Sequence, residues 1–330
     1  MAPLESFRHA ADILRALLPA SRLPVYSQRT RRQERACLYR RVMRSKLQLF
    51  RRNPSSMFFY GNLAMSRLFG PAAEVSIVSF PKSGRTWLDQ LLVEAIRRHR
   101  GLEDDKSKTI SELCRRQSEL PSIMFTHAGS GLQEDGVVWD EDEIEELSLR
   151  RFAPRRCVFL YRDPRDVLVS RYYHIKYRLG VEELTVEYLI DSPLIGLRKM
   201  LRFMNKWYDF TEQNPESTAR VRYEDLRRNT THELHRIFAL VGFAISAEAL
   251  SGASEACEFS AMREKEKKSE YKNPRLTTGS PNPNSFKVRK GMIGEHREFF
   301  YPGQLSRINR IIVEELDDRF GYNTPTASEG

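Results

Sequence analysis

Val75-Ser76-Ile77-Val78-Ser79-Phe80-Pro81-Lys82-Ser83-Gly84-Arg85-Thr86-Trp87 is the stretch whose reading decides the fold. Its first part is a short apolar run of the kind that forms a strand buried on both faces. Pro81-Lys82-Ser83-Gly84 then breaks the run, after which Trp87, Leu88, Leu91, Leu92, Ala95 and Ile96 recur at helical spacing. A strand that feeds a helix through a Gly-containing turn aims backbone N–H groups and the positive helix end at one point, which makes an anion site. Lys82 adds a mobile charge there, and Ser83 and Thr86 add hydroxyl donors. Taken alone, the same octapeptide is no more than a capped loop with a surface lysine.

The pattern repeats downstream. Cys157-Val158-Phe159-Leu160-Tyr161 is followed by Asp163-Pro164, which caps and begins a helix through Val167, Val169 and Tyr173. Ala219-Arg220-Val221-Arg222-Tyr223 is followed by a helix with Thr230 and Glu233 spaced as a capping box and Gly242 as its stop. Ile123-Met124-Phe125-Thr126 adds a short strand. Repeated βα units predict an α/β fold: a single domain over 74–323 with a central parallel sheet flanked by helices and ligands at the carboxyl ends of the strands. The acidic run Asp140 to Glu146 and the mixed run Arg263 to Glu270 read as solvated helix faces, and Thr277 to Phe286 as a long loop.

Charge separates the rest of the chain. The protein has 330 residues, with 54 Lys+Arg against 44 Asp+Glu and a formal net charge of +10. Residues 1–60 carry 13 of the basic side chains against Glu5, Asp12 and Glu34, so the remainder is balanced. A nucleic-acid-binding domain carries its excess on the folded face that meets phosphate, so no nucleic-acid partner is expected. Residues 1–73 read as a basic helical extension. Its plainer reading is a helix pair with arginines in water; the sharper one is peripheral contact with an anionic membrane or an acidic partner through residues 1–60. Residues 324–330 read as a disordered tail. The four cysteines never form Cys-x-x-Cys, which speaks against a zinc module or a disulfide scaffold and fits a reducing, cytoplasmic location. Neither a membrane-spanning run nor a secretory signal is expected.

Two further segments carry cations after predicted breaks: Tyr161-Arg162-Asp163-Pro164-Arg165-Asp166 running on to Ser170 and His174, and Phe286-Lys287-Val288-Arg289-Lys290-Gly291-Met292-Ile293-Gly294. With the Lys82 loop and Tyr223-Glu224-Asp225-Leu226, these segments resemble, in order and rough spacing from about Glu74 to Tyr322, the cofactor motifs of sulfotransferases that use 3′-phosphoadenosine 5′-phosphosulfate (PAPS). The dipeptide Gly-Lys occurs nowhere in the chain, so the triphosphate loop is absent, as is Gly-x-Gly-x-x-Gly. The resemblance implies that Lys82, Ser83, Gly84, Arg85 and Thr86 hold the 5′-phosphosulfate in a P-loop-like site. Arg162, Ser170, Arg289, Lys290 and Gly291 would hold the 3′-phosphate. Trp87 and Phe259 would sandwich the adenine, and Tyr223 would hydrogen-bond it.

His127 falls where the family keeps its catalytic base, and an imidazole with an ordinary pKa of about 6.5 can take a proton from a hydroxyl at neutral pH. The implied reaction is an in-line transfer of the sulfuryl group to a small-molecule, lipid or sugar acceptor, most simply at a hydroxyl, with Lys82 on the departing oxygen, adenosine 3′,5′-bisphosphate (PAP) as product and no metal expected. Acceptor pockets in the family are loops, here Ala128–Gly136, Lys176–Ser192 and the segment before Phe286. Two departures stand out. Phe125 replaces the lysine that precedes Thr-His in animal cytosolic members, and Arg85 is the candidate to replace its charge. The segment after Gly294 lacks those members' dimer motif, which leaves the oligomeric state open. The alternatives are a nucleotide or nucleoside kinase with a variant loop, and a nucleotide-binding adaptor that has lost transfer.

Overall fold

The structure, a computed structural model, describes residues 73–102, 104–130, 152, 155–193, 195–268, 276 and 282–323. Residues 1–72 of the basic extension 1–73, all but its last, lie outside these residues, as do the run Asp140 to Glu146 and the tail 324–330. So does the first half of the loop expected from Thr277 to Phe286, residues 277–281.

Four parallel strands, β1 (Val75–Ser79), β2 (Ile123–Thr126), β3 (Arg156–Tyr161) and β4 (Thr218–Arg222), form a sheet of order β2-β1-β3-β4. Val75 pairs with Ile123 on one side and Arg156 on the other, and Cys157 pairs with Thr218. The strands alternate as the pleat requires. Val75, Ile77, Val158, Leu160 and Val221 face one core, and Val78, Phe80, Cys157 and Phe159 face the other. Both faces are therefore covered, which is why β1 and β3 read as near-continuous apolar runs.

The first face is covered by α1 (Arg85–Arg100), α2 (Ile110–Arg116), α7 (Thr230–Val241) and α8 (Ala247–Ala256), with Met262 of α9 (Phe259–Lys267). The second is covered by α3 (Pro164–Tyr173), α4 (Val186–Asp191), α5 (Leu197–Gln213) and α11 (Pro302–Glu315). The short α6 (Tyr223–Arg228) follows β4 directly, and α10 (His296–Phe299) precedes α11.

The chain leaves β1 for β2 on one side and later returns to place β3 on the other. The order reverses between β1 and β3, so the crevice at their carboxyl ends is the natural ligand site. The loops carrying Lys82 and Arg162 both leave the sheet at that edge.

Local details depart from the sequence reading in two places. The cap of α7 is Asn229, whose side chain accepts the His232 N–H, whereas Thr230 donates back to the Leu226 carbonyl at 2.9 Å. An Asx cap one residue earlier thus pre-empts the expected capping box. In the run from Arg263, Glu266 is not solvated but buried, because it accepts two backbone N–H groups.

Candidate active site

The loop after β1 is strained where it must be. Lys82 has φ +81°, the one non-glycine residue with positive φ among the described residues, and Gly84 caps α1 with φ +102°. A side chain at Gly84 would also collide with Tyr223, since an added Cβ would lie 2.6 Å from its Cδ2. The helix starts where Trp87 N–H and Leu88 N–H donate to the Gly84 carbonyl. Its first turn carries no acidic residue, and its last turn carries Arg97, Arg98, His99 and Arg100, so the positive end of the helix faces the loop uncompensated. Ser83 is buried in the turn, while Arg85 and Thr86 are half-buried in the first turn of α1. Burial, then the charges of Lys287, Arg178 and Arg162, push the Lys82 ammonium well below its ordinary value of 10.5, against a weaker opposing pull from Glu266.

A second cationic site forms beside it. Arg162, buried at the end of β3, donates to the Met292 carbonyl at 3.0 Å, lies 3.5 Å from Asp166, and stacks its guanidinium 4.3 Å from the Tyr223 ring centroid. Its Nε is buried with no hydrogen-bond partner. Asp166 on α3 fastens the segment bearing Arg289, Lys290 and Gly291: it accepts Gly294 N–H at 2.8 Å, His296 N–H at 3.1 Å and the His296 ring Nδ1–H at 2.8 Å. Burial works against the Asp166 charge, but the His296 hydrogen bond, Arg162 and the Gly294 N–H overrule it and hold its pKa down. Arg289 lies 3.8 Å from the Tyr173 ring centroid and pairs closely with Glu295, and Lys290 lies 3.7 Å from the same carboxylate. Ser170 is half-buried in the last turn of α3, one turn before His174.

The aromatic residues line the ground between. Trp87 meets Tyr223 edge-on with centroids 5.7 Å apart and donates Nε1–H to the Cys257 carbonyl at 2.9 Å. Gly291, at φ +63°, presses on Phe259 so closely that an added Cβ would lie 2.2 Å from the ring. Trp87 and Phe259 are connected through Arg227, whose guanidinium lies 5.3 Å and 5.6 Å from their centroids. The orphaned Arg162 Nε and two glycines, each pressed on an aromatic ring, are what an unprotected purine flanked by phosphates needs: donors at one end, a close backbone and flat walls.

His127, just past β2, has its Nδ1 2.6 Å from the Ser79 carbonyl. A carbonyl only accepts, so Nδ1 carries a proton, and in the neutral imidazole Nε2 is the basic nitrogen. That contact ties the imidazole to the base of the Lys82 loop. His127's own carbonyl accepts Ser130 N–H, and Trp207 Nε1–H holds the Ala128 carbonyl at 3.0 Å, so the turn after β2 is anchored to α5. His174 also reaches this region: burial, then Lys82, Lys287, Arg178 and Arg171, push its pKa well down, and its Nδ1 is buried without a hydrogen-bond partner.

Tyr223 thus joins Gly84, Trp87 and Arg162, Arg227 joins Trp87 to Phe259, which packs on Gly291, and His127 is tied to Ser79 at the base of the Lys82 loop. Sequence reading missed Glu266, Arg178, Lys287, Asp166, Glu295 and Arg227. Asp166, four residues after Arg162 on a predicted helix, and Lys287, inside the cation-bearing segment of Arg289, left a signal; the others become neighbours through tertiary folding. Arg85 sits half-buried at the start of α1, and the charges that lower the Lys82 pKa are those of Lys287, Arg178 and Arg162.

Residues 73–320 match the family model described as "Sulfotransferase domain". Flavonol 3-sulfotransferase of Flaveria bidentis is 22% identical over 259 residues, covering 74% of this chain and 81% of that protein. Cytosolic sulfotransferase 12 of Arabidopsis thaliana is 26% identical over 276 residues, covering 77% and 80%. In fold, the chain is similar to a mouse sulfotransferase complexed with PAP, with TM-score 0.50, 16% identity and coverage of 74% of this chain and 84% of that one. Retinol dehydratase in complex with retinol and PAP gives TM-score 0.50 at 17% identity, covering 75% and 83%.

Proposed function

The chain belongs to the sulfotransferase domain family, and on that premise we propose that it transfers the sulfuryl group of PAPS to a hydroxyl of a small-molecule acceptor. The observation that carries the reading is the fixed tautomer of His127, whose Nδ1–H is spent on the Ser79 carbonyl at the base of the Lys82 loop. In the neutral ring this makes Nε2 the basic nitrogen, which supports a base role for His127 next to the Lys82 loop.

The donor supplies an activated sulfuryl group, whose bond to the 5′-phosphate oxygen breaks as the acceptor oxygen bonds to sulfur. The rest is done by this chain. His127 Nε2 takes the acceptor proton, and the Ser79 carbonyl steadies the imidazolium that forms. Lys82, Ser83 and the first-turn amides of α1 stabilise charge on the departing oxygen. Arg162, Arg289 and Lys290 receive the 3′-phosphate, Ser170 adds a hydroxyl, and Trp87, Phe259 and Tyr223 hold the base. Glu295 occupies Arg289 and Lys290 now, and a phosphate entering between them competes with that carboxylate for the same N–H groups.

Relatives named for a flavonol and a structure holding retinol support a small hydroxylic acceptor. Relatives named cytosolic support a cytoplasmic site of action, and no helix among the described residues is long and apolar enough to cross a membrane. The test is a transfer assay with sulfur-labelled PAPS and a panel of phenols, steroids, retinoids and sugars. Label is expected on at least one hydroxyl acceptor with equal release of PAP; nucleotide binding without transfer to any of them contradicts the reading.

A further inference from the structure

The residues from His174 to Arg178 continue α3 as a π-type turn in which Leu179 N–H donates to the His174 carbonyl at 3.0 Å. Such wide turns insert one residue into a helix and re-aim the side chains that follow, and they concentrate at functional sites. Here the turn packs on the short turn Pro283–Ser285, and Arg178 donates to the Ser285 carbonyl at 3.2 Å. The next residues lead through Lys287 into Arg289.

One carboxylate binds these pieces together. The Glu266 side chain is wholly buried; it accepts Lys287 N–H at 2.6 Å and Val288 N–H at 2.7 Å, and lies 3.7 Å from the Arg178 guanidinium. Three elements distant in sequence, α9, the π turn and the bend that leads into Arg289, are thereby fastened to one another. The electrostatics agree: Lys287 and Arg178 are the two charges that act most strongly on the Lys82 ammonium, and both act on His174 as well. Bringing cations together at a half-buried point costs free energy in the empty protein, and an anion seated among them recovers it.

Resting on the sulfuryl-transfer reading above, we propose that Arg178 and Lys287, positioned by Glu266, are the cations that face the sulfuryl group beside Lys82, supplying the charge for which Arg85 was the candidate in sequence. Arg85 starts α1 and acts on the phosphate side of the loop. Glu266 is a positioning residue, since it reaches the ligand only through Arg178 and the Lys287 backbone.

Calorimetric titration of the full chain with PAPS and with PAP separates the sulfuryl group from the rest of the nucleotide, and needs no acceptor. Arg178→Met and Lys287→Met are expected to weaken PAPS about tenfold or more beyond any effect on PAP. Retained PAP affinity reports the fold in the same experiment. Glu266→Gln is expected to move the ratio of the two affinities in the same direction, and Arg85→Met to change both affinities by one factor. The proposal is overturned if Arg178→Met and Lys287→Met weaken both nucleotides equally or leave both unchanged, or if Arg85→Met alone alters the ratio. A wild-type chain that binds neither nucleotide rejects instead the sulfuryl-transfer reading on which the proposal rests.

Discussion

Lys82 holds a left-handed backbone conformation that a residue with a Cβ avoids, and it does so amid cations that discourage its own charge. Both costs are local strain of the kind stored at binding sites and relieved by a ligand. The native pKa lies below the ordinary 10.5, so between the two values the empty protein holds fewer protons than the unfolded chain, and an entering anion favours the protonated form. Binding of PAP should therefore take up protons in alkaline buffer, and affinity should fall as pH rises through the native Lys82 value. Calorimetry in buffers of different ionisation enthalpy reads this uptake, which Lys82→Met should abolish. His127 makes a different claim. His127→Gln should lower turnover about 10²- to 10⁴-fold while leaving PAP affinity within about threefold, because the imidazole works on the acceptor proton and not on the nucleotide. Lys82 was legible from its place between a predicted strand and a predicted helix, whereas the roles of His127, Arg162 and Arg289 came from the resemblance to the sulfotransferase motifs. Their partners were not legible. Ser79 bonds His127 across 48 residues and Glu266 clamps Lys287 across 21, distances at which side-chain pairing leaves no periodic trace.

At the scale of elements, α3 does two jobs. Its N-terminus is fixed by Asp163 and Pro164 as the sequence predicts, and its first turn carries Asp166, which anchors the segment from Gly294 to His296. Replacing one carboxylate oxygen by an amide sets N–H against N–H, so Asp166→Asn should cost about 2–4 kcal/mol of stability and weaken nucleotides that bear a 3′-phosphate more than those that lack one. The pH dependence has a definite sign. With its native pKa held below the unfolded 3.8, Asp166 stabilises fully above that value, and the contribution is lost as pH falls through the native pKa. Acid melts of wild type and Asp166→Asn should therefore converge at low pH. The strands and helices themselves were readable because their signals are local: apolar runs, Gly242 as a left-handed stop, proline at a helix start. The Asn229 cap and the π turn were not, since an Asx cap and an inserted helical residue look like ordinary polar sequence.

For the whole molecule, the sheet order brings four separate segments to one edge, and charge is focused there rather than spread. On the proposed reading, a body with balanced acids and bases holds a strongly anionic nucleotide through helix ends, a strained loop and a few arginines that converge at the carboxyl ends of β1 and β3. The fold class and the position of the crevice followed from the repeated βα pattern. The division into a Lys82 site and an Arg162–Arg289 site with aromatic residues between them was implied by the resemblance in sequence; the contacts that hold it, Arg162 on Tyr223 and Asp166 on the Gly294–His296 segment, belong to the tertiary fold. That division is the central claim, and nucleotide selectivity tests it most directly. Titrated at one salt concentration, PAP should bind about 100-fold or more tightly than ADP or adenosine 5′-phosphate, and Arg162→Ala should remove most of that preference. Equal affinity for nucleotides with and without the 3′-phosphate would contradict the account.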